Sequence, residues 1–140
     1  MTSTDRDALR QQLITHEGLR LRPYVDSVGK ITIGVGRNLS DKGISEAEAR
    51  QFLDADINNA ILDMSTFPWF ADLDVVRQRA LLDLCFNLGL PRLKGFVLML
   101  DAVARKDWGT AAQELLDSHY AQQVGKRART LAAMLRDGQV

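Results

Sequence analysis

The sequence contains little that could build a disulfide framework or a metal site. Its 140 residues include one cysteine and two histidines, so no intrachain disulfide can form. His16 and His119 have no partner at the spacing of metal ligands. Cys85 lies in the helical run LLDLCFNLG and is expected to pack in the core as a small apolar residue. We therefore expect no metal and no other cofactor.

The sequence also lacks an excess of charge and a long apolar segment. Its 18 basic and 18 acidic residues balance, whereas nucleic-acid binding normally leaves a basic excess, so nucleic acid is not an expected partner. No segment approaches about 18 uninterrupted apolar residues, and the N-terminal MTSTDRDALRQQ has no positive region followed by an apolar stretch. We expect no membrane insertion, no signal peptide and synthesis in the cytoplasm.

Most of the chain has the residue spacing of helices. A first helix is predicted to begin with Thr4 as its cap and to end at Glu17. Ser45 and Glu48 have the spacing of a capping box, which predicts a long helix after them. Four further helices are predicted, over residues 73–88, 96–104, 108–117 and 126–136. Gly89 is the predicted stop of the first of these, and Asp107 is the predicted cap of the third.

In a short segment between the first two helices, apolar and other residues alternate in the manner of a β-hairpin. The turn is predicted at residues 27–29. Three apolar side chains then share one strand face: Ile31, Ile33 and Val35. Thr32 lies on the opposite face, so it is expected to point away from the apolar side and to face a cleft.

The predicted fold class is mainly α (α+β), in a single domain over residues 1–140. A content of 46% hydrophobic residues in a chain of this length fits one globular domain with its own core. We expect a small lobe with a β-hairpin, a helical lobe, and a groove between the lobes, which is a common place for an extended ligand.

Glu17, Asp26 and Thr32 are the candidate catalytic residues. Two carboxyls and a hydroxyl are what hydrolysis of a glycosidic bond requires: an acid to protonate the leaving oxygen, and a base and a positioner for water. Each residue alone is ordinary, since a glutamate at a helix end is usually solvated, aspartate forms turns, and threonine is common in strands. Their occurrence together in one short run suggests a sugar-chain hydrolase.

The run from His16 to Gly36, with its closing ITIGVG, resembles the catalytic lobe of the phage-type lysozymes, the endolysins of glycoside hydrolase family 24. Two later blocks, FNLGLPRLKGF from Phe86 and KRARTLAAMLRDG from Lys126, are similar to the helical part of that family. The resemblance therefore covers most of the chain. It implies a lysozyme-like fold and cleavage of the β-1,4 bond between N-acetylmuramic acid and N-acetylglucosamine.

The resemblance also implies roles for individual residues. Glu17 would be the general acid, Asp26 and Thr32 would handle the water, and the anomeric carbon would be inverted. Asn87 matches a polar position that reaches a sugar in this family, although it could equally be only a helix-end residue. Arg37 stands where many members have histidine, and it could bind acidic groups of the substrate or simply pair with an acid of the long helix, such as Asp54 or Asp56.

Two rival functions stay open from the sequence. A lytic transglycosylase breaks the same bond without adding water, and a catalytically inactive wall-binding or phage structural module could retain the fold. Asp26 and Thr32 favour hydrolysis, because a transglycosylase needs no positioner for water. We expect peptidoglycan as the partner and a monomeric protein that reaches the wall after release, through a holin or another export route.

Overall fold

The computed structural model describes residues 1–140, which divide into two units. Unit 1 is Met1–Arg50 and unit 2 is Gln51–Val140. Unit 1 contains helix α1 and three strands: α1 (Ser3–Glu17), β1 (Arg20–Val25), β2 (Ile31–Gly34) and β3 (Arg37–Asn38). Helix α2 (Glu46–Met64) contains the boundary between the units. The prediction of a mainly helical α+β protein is confirmed.

Helix α1 begins at Ser3 because Thr2 caps it. The Thr2 hydroxyl accepts a hydrogen bond from the Asp5 amide at 3.1 Å, and the Asp5 carboxylate accepts one from the Thr2 amide at 2.9 Å. The predicted cap at Thr4 was wrong, because the preceding Thr–Asp pair has the same spacing and forms the capping box. Glu17 is the last residue of α1, as predicted.

The strands form an antiparallel sheet in the order β1-β2-β3. Strand β2 lies in the centre, with Thr32 paired to Tyr24 of β1 and to Asn38 of β3. Strand β3 is only two residues long. The predicted hairpin is therefore present, and the sheet extends little beyond it.

The two faces of β2 are the reverse of those predicted. Thr32 is 3% exposed, whereas Ile31 is 49% exposed. The predicted assignment of the two faces was therefore wrong, whereas the contact of Thr32 with a groove stays a prediction. The alternation of polar and apolar residues shows that the two faces of a strand differ, but it does not show which face the rest of the protein covers.

Unit 2 is helical and contains the apolar core. Its first full helix, α3 (Val75–Leu88), covers most of the predicted range 73–88, and Gly89 follows as its cap with φ 79°. Two short helices, α4 (Leu90–Lys94) and α7 (His119–Val124), were not predicted, because five and six residues are too few to show a helical period. The elements after α2 are a 3-10 turn at Phe70–Asp72, then α3 (Val75–Leu88), α4 (Leu90–Lys94), α5 (Val97–Ala104), α6 (Trp108–Leu116), α7 (His119–Val124) and α8 (Lys126–Asp137).

Several aromatic side chains and the single cysteine of unit 2 belong to the core. Phe70 is buried, and Trp69, Phe96 and Trp108 are partly buried and pack against the core cluster. Cys85 is buried as well, and this burial raises the pKa of its thiol. No helix of the protein combines the length and the apolar character that a membrane crossing requires.

Arg77 connects the beginning of α3 to the end of α8. Its Nε donates a hydrogen bond to the Leu135 carbonyl at 2.6 Å, and its Nη2 donates one to the Arg136 carbonyl at 2.9 Å. Nη1 pairs with Asp74 at 2.9 Å, and the guanidinium carbon lies 4.0 Å from the centre of the Trp108 ring. The last carbonyls of a helix have no partner inside the helix, so Arg77 supplies them with one.

Replacing Arg77 by methionine should lower the free energy of unfolding by about 2 to 4 kcal/mol, because two helix-end carbonyls lose charged donors and Trp108 loses its cation. Chemical denaturation with circular dichroism detection measures the change. Arg105→Met is the matched control, since Arg105, the residue that follows α5, forms an exposed ion pair with Asp101 of that helix. Equal midpoints for the two variants would contradict the role given to Arg77.

Candidate active site

The carboxylate of Glu17 lies against bare backbone of the turn between β2 and β3. A Cβ placed on Gly36 would lie 2.9 Å from Oε2 of Glu17 and 3.2 Å from its Cδ. Gly36 also has φ +66°, a conformation that side-chain-bearing residues rarely adopt. Glycine is therefore needed here both for the turn and for the close approach of Glu17.

Glu17 lines a cavity of about 450 Å³ in unit 1. One wall is a face of α1, and the other is the turn that contains Gly36. The lining residues are Arg10, Leu13, Ile14, Glu17, Val35 and Gly36. The sequence analysis missed the α1 residues of this wall, although their spacing of three, four and seven from Glu17 places them on the same helix face. The cavity combines a mostly apolar wall with one exposed carboxylate.

Asp26 begins the turn that joins β1 to β2, and its side chain is fixed by that turn. Oδ1 accepts hydrogen bonds from the Val28 amide at 2.9 Å and the Lys30 amide at 2.8 Å. The Asp26 amide in turn donates to the Lys30 carbonyl at 2.9 Å. Both bonds to the side chain use Oδ1, so they orient the carboxylate without engaging Oδ2.

The side chain of Thr32 is held by the main chain of Lys30. Its hydroxyl donates a hydrogen bond to the Lys30 carbonyl at 3.0 Å. Because a hydroxyl has one proton and two lone pairs, the remaining capacity of Thr32 is to accept hydrogen bonds. The main chain of Lys30 therefore contacts both Asp26 and Thr32, and the structure brings these two predicted residues together through it.

Arg37 forms an ion pair with α2, but with a residue other than those predicted. Its Nη1 lies 2.7 Å from Oε2 of Glu48, and the same nitrogen lies 3.4 Å from the Gly43 carbonyl. The suggested partners Asp54 and Asp56 were wrong, because the capping box at the start of α2 already directs the Glu48 carboxylate towards the residues that precede the helix. Hydrogen bonds from Ser45, and secondarily from Arg37, lower the pKa of Glu48.

The remaining candidates lie in unit 2. Asn87 is exposed next to the last residue of α3, and its contact with a sugar stays a prediction. At the beginning of α8, Nη2 of Arg127 pairs with Oδ1 of Asp83 at 2.6 Å. No group of three His, Cys, Asp or Glu side chains is placed so that it could hold a metal ion.

Comparisons with known proteins give one consistent result. The model of the phage lysozyme family matches residues 14–136, a range that contains every candidate site residue. Two relatives come from Dictyostelium discoideum. "Probable T4-type lysozyme 1" is 23% identical, with 99% of this chain and 96% of the relative covered, and "Probable T4-type lysozyme 2" is 26% identical, with 94% and 95% covered.

Gly36→Ala should displace the Glu17 carboxylate and lower the rate of clearing of purified bacterial walls at least about tenfold, because a shift of about 1 Å in a catalytic group can cost 10²-fold. The matched control is Gly34→Ala. Gly34 has a similar φ of +69°, but a Cβ there meets nothing within 4 Å. Both variants should lose similar stability in thermal unfolding. Equal loss of activity in both would mean that backbone strain, and not the contact with Glu17, is responsible.

Proposed function

This chain belongs to the phage lysozyme family, and on that premise we propose that it is a muramidase. Family membership supports a glycosidase that acts on peptidoglycan. The finer proposal is hydrolysis of the β-1,4 bond between N-acetylmuramic acid and N-acetylglucosamine. The observation that carries it is the Glu17 carboxylate, which lines a cavity beside Gly36 and is the only acidic side chain in that lining.

In this proposal Glu17 is the general acid. Its side chain is exposed at the end of α1, and the backbone of Gly36 limits where its carboxyl group can lie. A carboxylic acid in this position donates its proton to the glycosidic oxygen as the bond to the leaving sugar breaks. General acid catalysis of this kind contributes about 10² to 10⁴ in rate.

Asp26 and Thr32 are proposed to hold the attacking water. Asp26 has Oδ2 available, and Thr32 can only accept a further hydrogen bond because its hydroxyl already donates one to the Lys30 carbonyl. A water that donates one hydrogen bond to each of these oxygens keeps a lone pair for attack on the anomeric carbon. Asp26 then removes the proton as the new bond forms, so the protein gains one proton at Asp26 and loses one at Glu17.

The substrate-binding residues are proposed with different support. Asn87 is exposed and free to contact a sugar. Arg37 is already paired with Glu48, so the contacts favour a structural role for it over recognition of acidic groups on the substrate. An origin in a bacteriophage, a monomeric state, and release through a holin stay predictions of the sequence.

Glu17→Gln should remove nearly all lytic activity while the protein stays folded, because glutamine keeps the shape of the side chain but has no acidic proton to donate. Turbidity clearing of purified walls and circular dichroism measure the two properties. Mass spectrometry of the wild-type products separates the rivals: hydrated ends indicate a hydrolase, anhydro ends a transglycosylase, and no products an inert module. Clearing by the variant at the wild-type rate would remove Glu17 from the mechanism.

The first product should carry the α-anomeric configuration, since water held by Asp26 attacks the face opposite Glu17. Inverting glycosidases keep their two carboxyls about 6.5 to 9.5 Å apart to admit that water, against about 5 to 5.5 Å in retaining enzymes. Proton NMR of the initial product distinguishes the two outcomes. A β-anomer at first turnover would make Asp26 a nucleophile and leave Thr32 without a water to position.

A further inference from the structure

The backbone pairing between β2 and β3 ends close to the candidate catalytic residues. The two strands share the pairs Thr32 with Asn38 and Ile33 with Arg37. Beyond Asn38 the chain turns, and the amides of Leu39 and Ser40 both donate to the Ile31 carbonyl, at 2.7 and 3.4 Å. On its β1 side this end of β2 is regularly paired, Thr32 with Tyr24 and Ile31 with Val25, so only the side that faces β3 lacks a continued ladder.

Side chains continue the pairing where the ladder ends. The Ile31 amide donates a hydrogen bond to the Ser40 hydroxyl at 2.9 Å, and Lys30 Nζ pairs with Asp41 Oδ1 at 3.0 Å. Two successive residues, Ile31 and then Lys30 towards the turn, thus contact two successive residues of the loop after β3, Ser40 and then Asp41. The last of these contacts is the ion pair between Lys30 and Asp41.

Asp41 is itself held in place by Asn38. Its other carboxylate oxygen, Oδ2, accepts a hydrogen bond from Nδ2 of Asn38 at 3.0 Å, and its amide donates to Oδ1 of Asn38 at the same distance. Both oxygens of the Asp41 carboxylate therefore have a defined partner. Asp41 presents a fixed negative charge to Lys30.

Lys30 is the residue whose main chain holds both water-handling groups. Its amide bonds to the Asp26 carboxylate, and its carbonyl accepts from the Thr32 hydroxyl and the Asp26 amide. A shift of the Lys30 backbone therefore changes the positions of Asp26 and Thr32 together. Asp41, in the loop after β3, is the acidic residue with which the side chain of Lys30 forms its ion pair.

From this geometry we propose that Asp41 is a positioning residue for the reaction: through its ion pair with Lys30 it fixes the backbone that orients Asp26 and Thr32. The proposal rests on the proposed function, because it takes Asp26 and Thr32 as the residues that handle water. Asp41 itself touches no reacting atom.

The effect of Asp41 should appear in the rate of the chemical step. The side chains of Lys30 and Asp41 are 41% and 58% exposed, and exposed ion pairs contribute little to stability because water and salt screen them. Catalysis is far more sensitive than stability to a small displacement of a base. The structure therefore predicts a nearly unchanged melting temperature with a lower kcat.

The experiment compares Asp41→Ala, Lys30→Met and the double variant with the wild type, using soluble wall fragments as substrate. We expect kcat to fall about three- to tenfold in each single variant with KM unchanged, because substrate contacts are intact while the base is less well oriented. The double variant should fall no further than the single ones, since both remove the same contact. Asp41→Glu keeps the charge and should recover most of the loss.

A second measurement does not depend on activity. Hydrogen exchange of the Val28 and Lys30 amides, followed by NMR, reports the two bonds to Asp26 Oδ1 directly. Exchange of both should accelerate in Asp41→Ala. Lys42→Ala is the control, because Lys42 is the next residue of the loop and forms no ion pair, and it should leave kcat and both amides unchanged.

The outcomes separate this inference from the proposed function. An inactive wild type would refute the proposed function, while faster exchange in Asp41→Ala would still show that Asp41 orders the turn. An active wild type with unchanged kcat in Asp41→Ala overturns the positioning role. A change confined to KM, or a kcat loss that Asp41→Glu does not recover, overturns it as well.

Discussion

The candidate site depends on the hydrogen bonds of the turn from Asp26 to Lys30, because unit 1 has no buried apolar core. Thr32 is its one buried residue, and every buried hydrophobic side chain belongs to unit 2. Where packing does not fix side-chain positions, direct hydrogen bonds must do so. Two amides that donate to Asp26 and one carbonyl that accepts from Thr32 perform this task within seven consecutive residues.

The two units therefore hold their residues in different ways. Unit 2 buries a continuous set of apolar side chains from α2 to α8, and Arg77 joins the first turn of α3 to the last turn of α8. Unit 1 relies on a short antiparallel sheet whose third strand has two residues. Functional groups are commonly carried by turns and loops of this kind, which are positioned by more regular elements around them.

Much of the fold could be predicted because its signals are local. The capping pair Ser45 and Glu48, the cap Asp107 and the stop at Gly89 were correct, since each acts within one helical turn. The site was predicted in part: the position of Glu17 at the end of α1 is confirmed, whereas the face of Thr32 was wrong. Burial of a strand face and the ion partner of Arg37 depend on residues distant in the chain, which periodicity does not reveal. The packing of Glu17 on Gly36 was missed for the same reason.

The position of Arg77 also bears on the order in which this protein can fold during its synthesis. The two carbonyls that Arg77 binds lie 58 and 59 residues further along the chain. A ribosome must therefore translate α8 before Arg77 can bind these carbonyls. The turn from Asp26 to Lys30, in contrast, can form as soon as its own five residues have emerged. The site-bearing hairpin is thus the early product of translation, and the helical core that gives the protein its stability is finished only when α8 has left the exit tunnel.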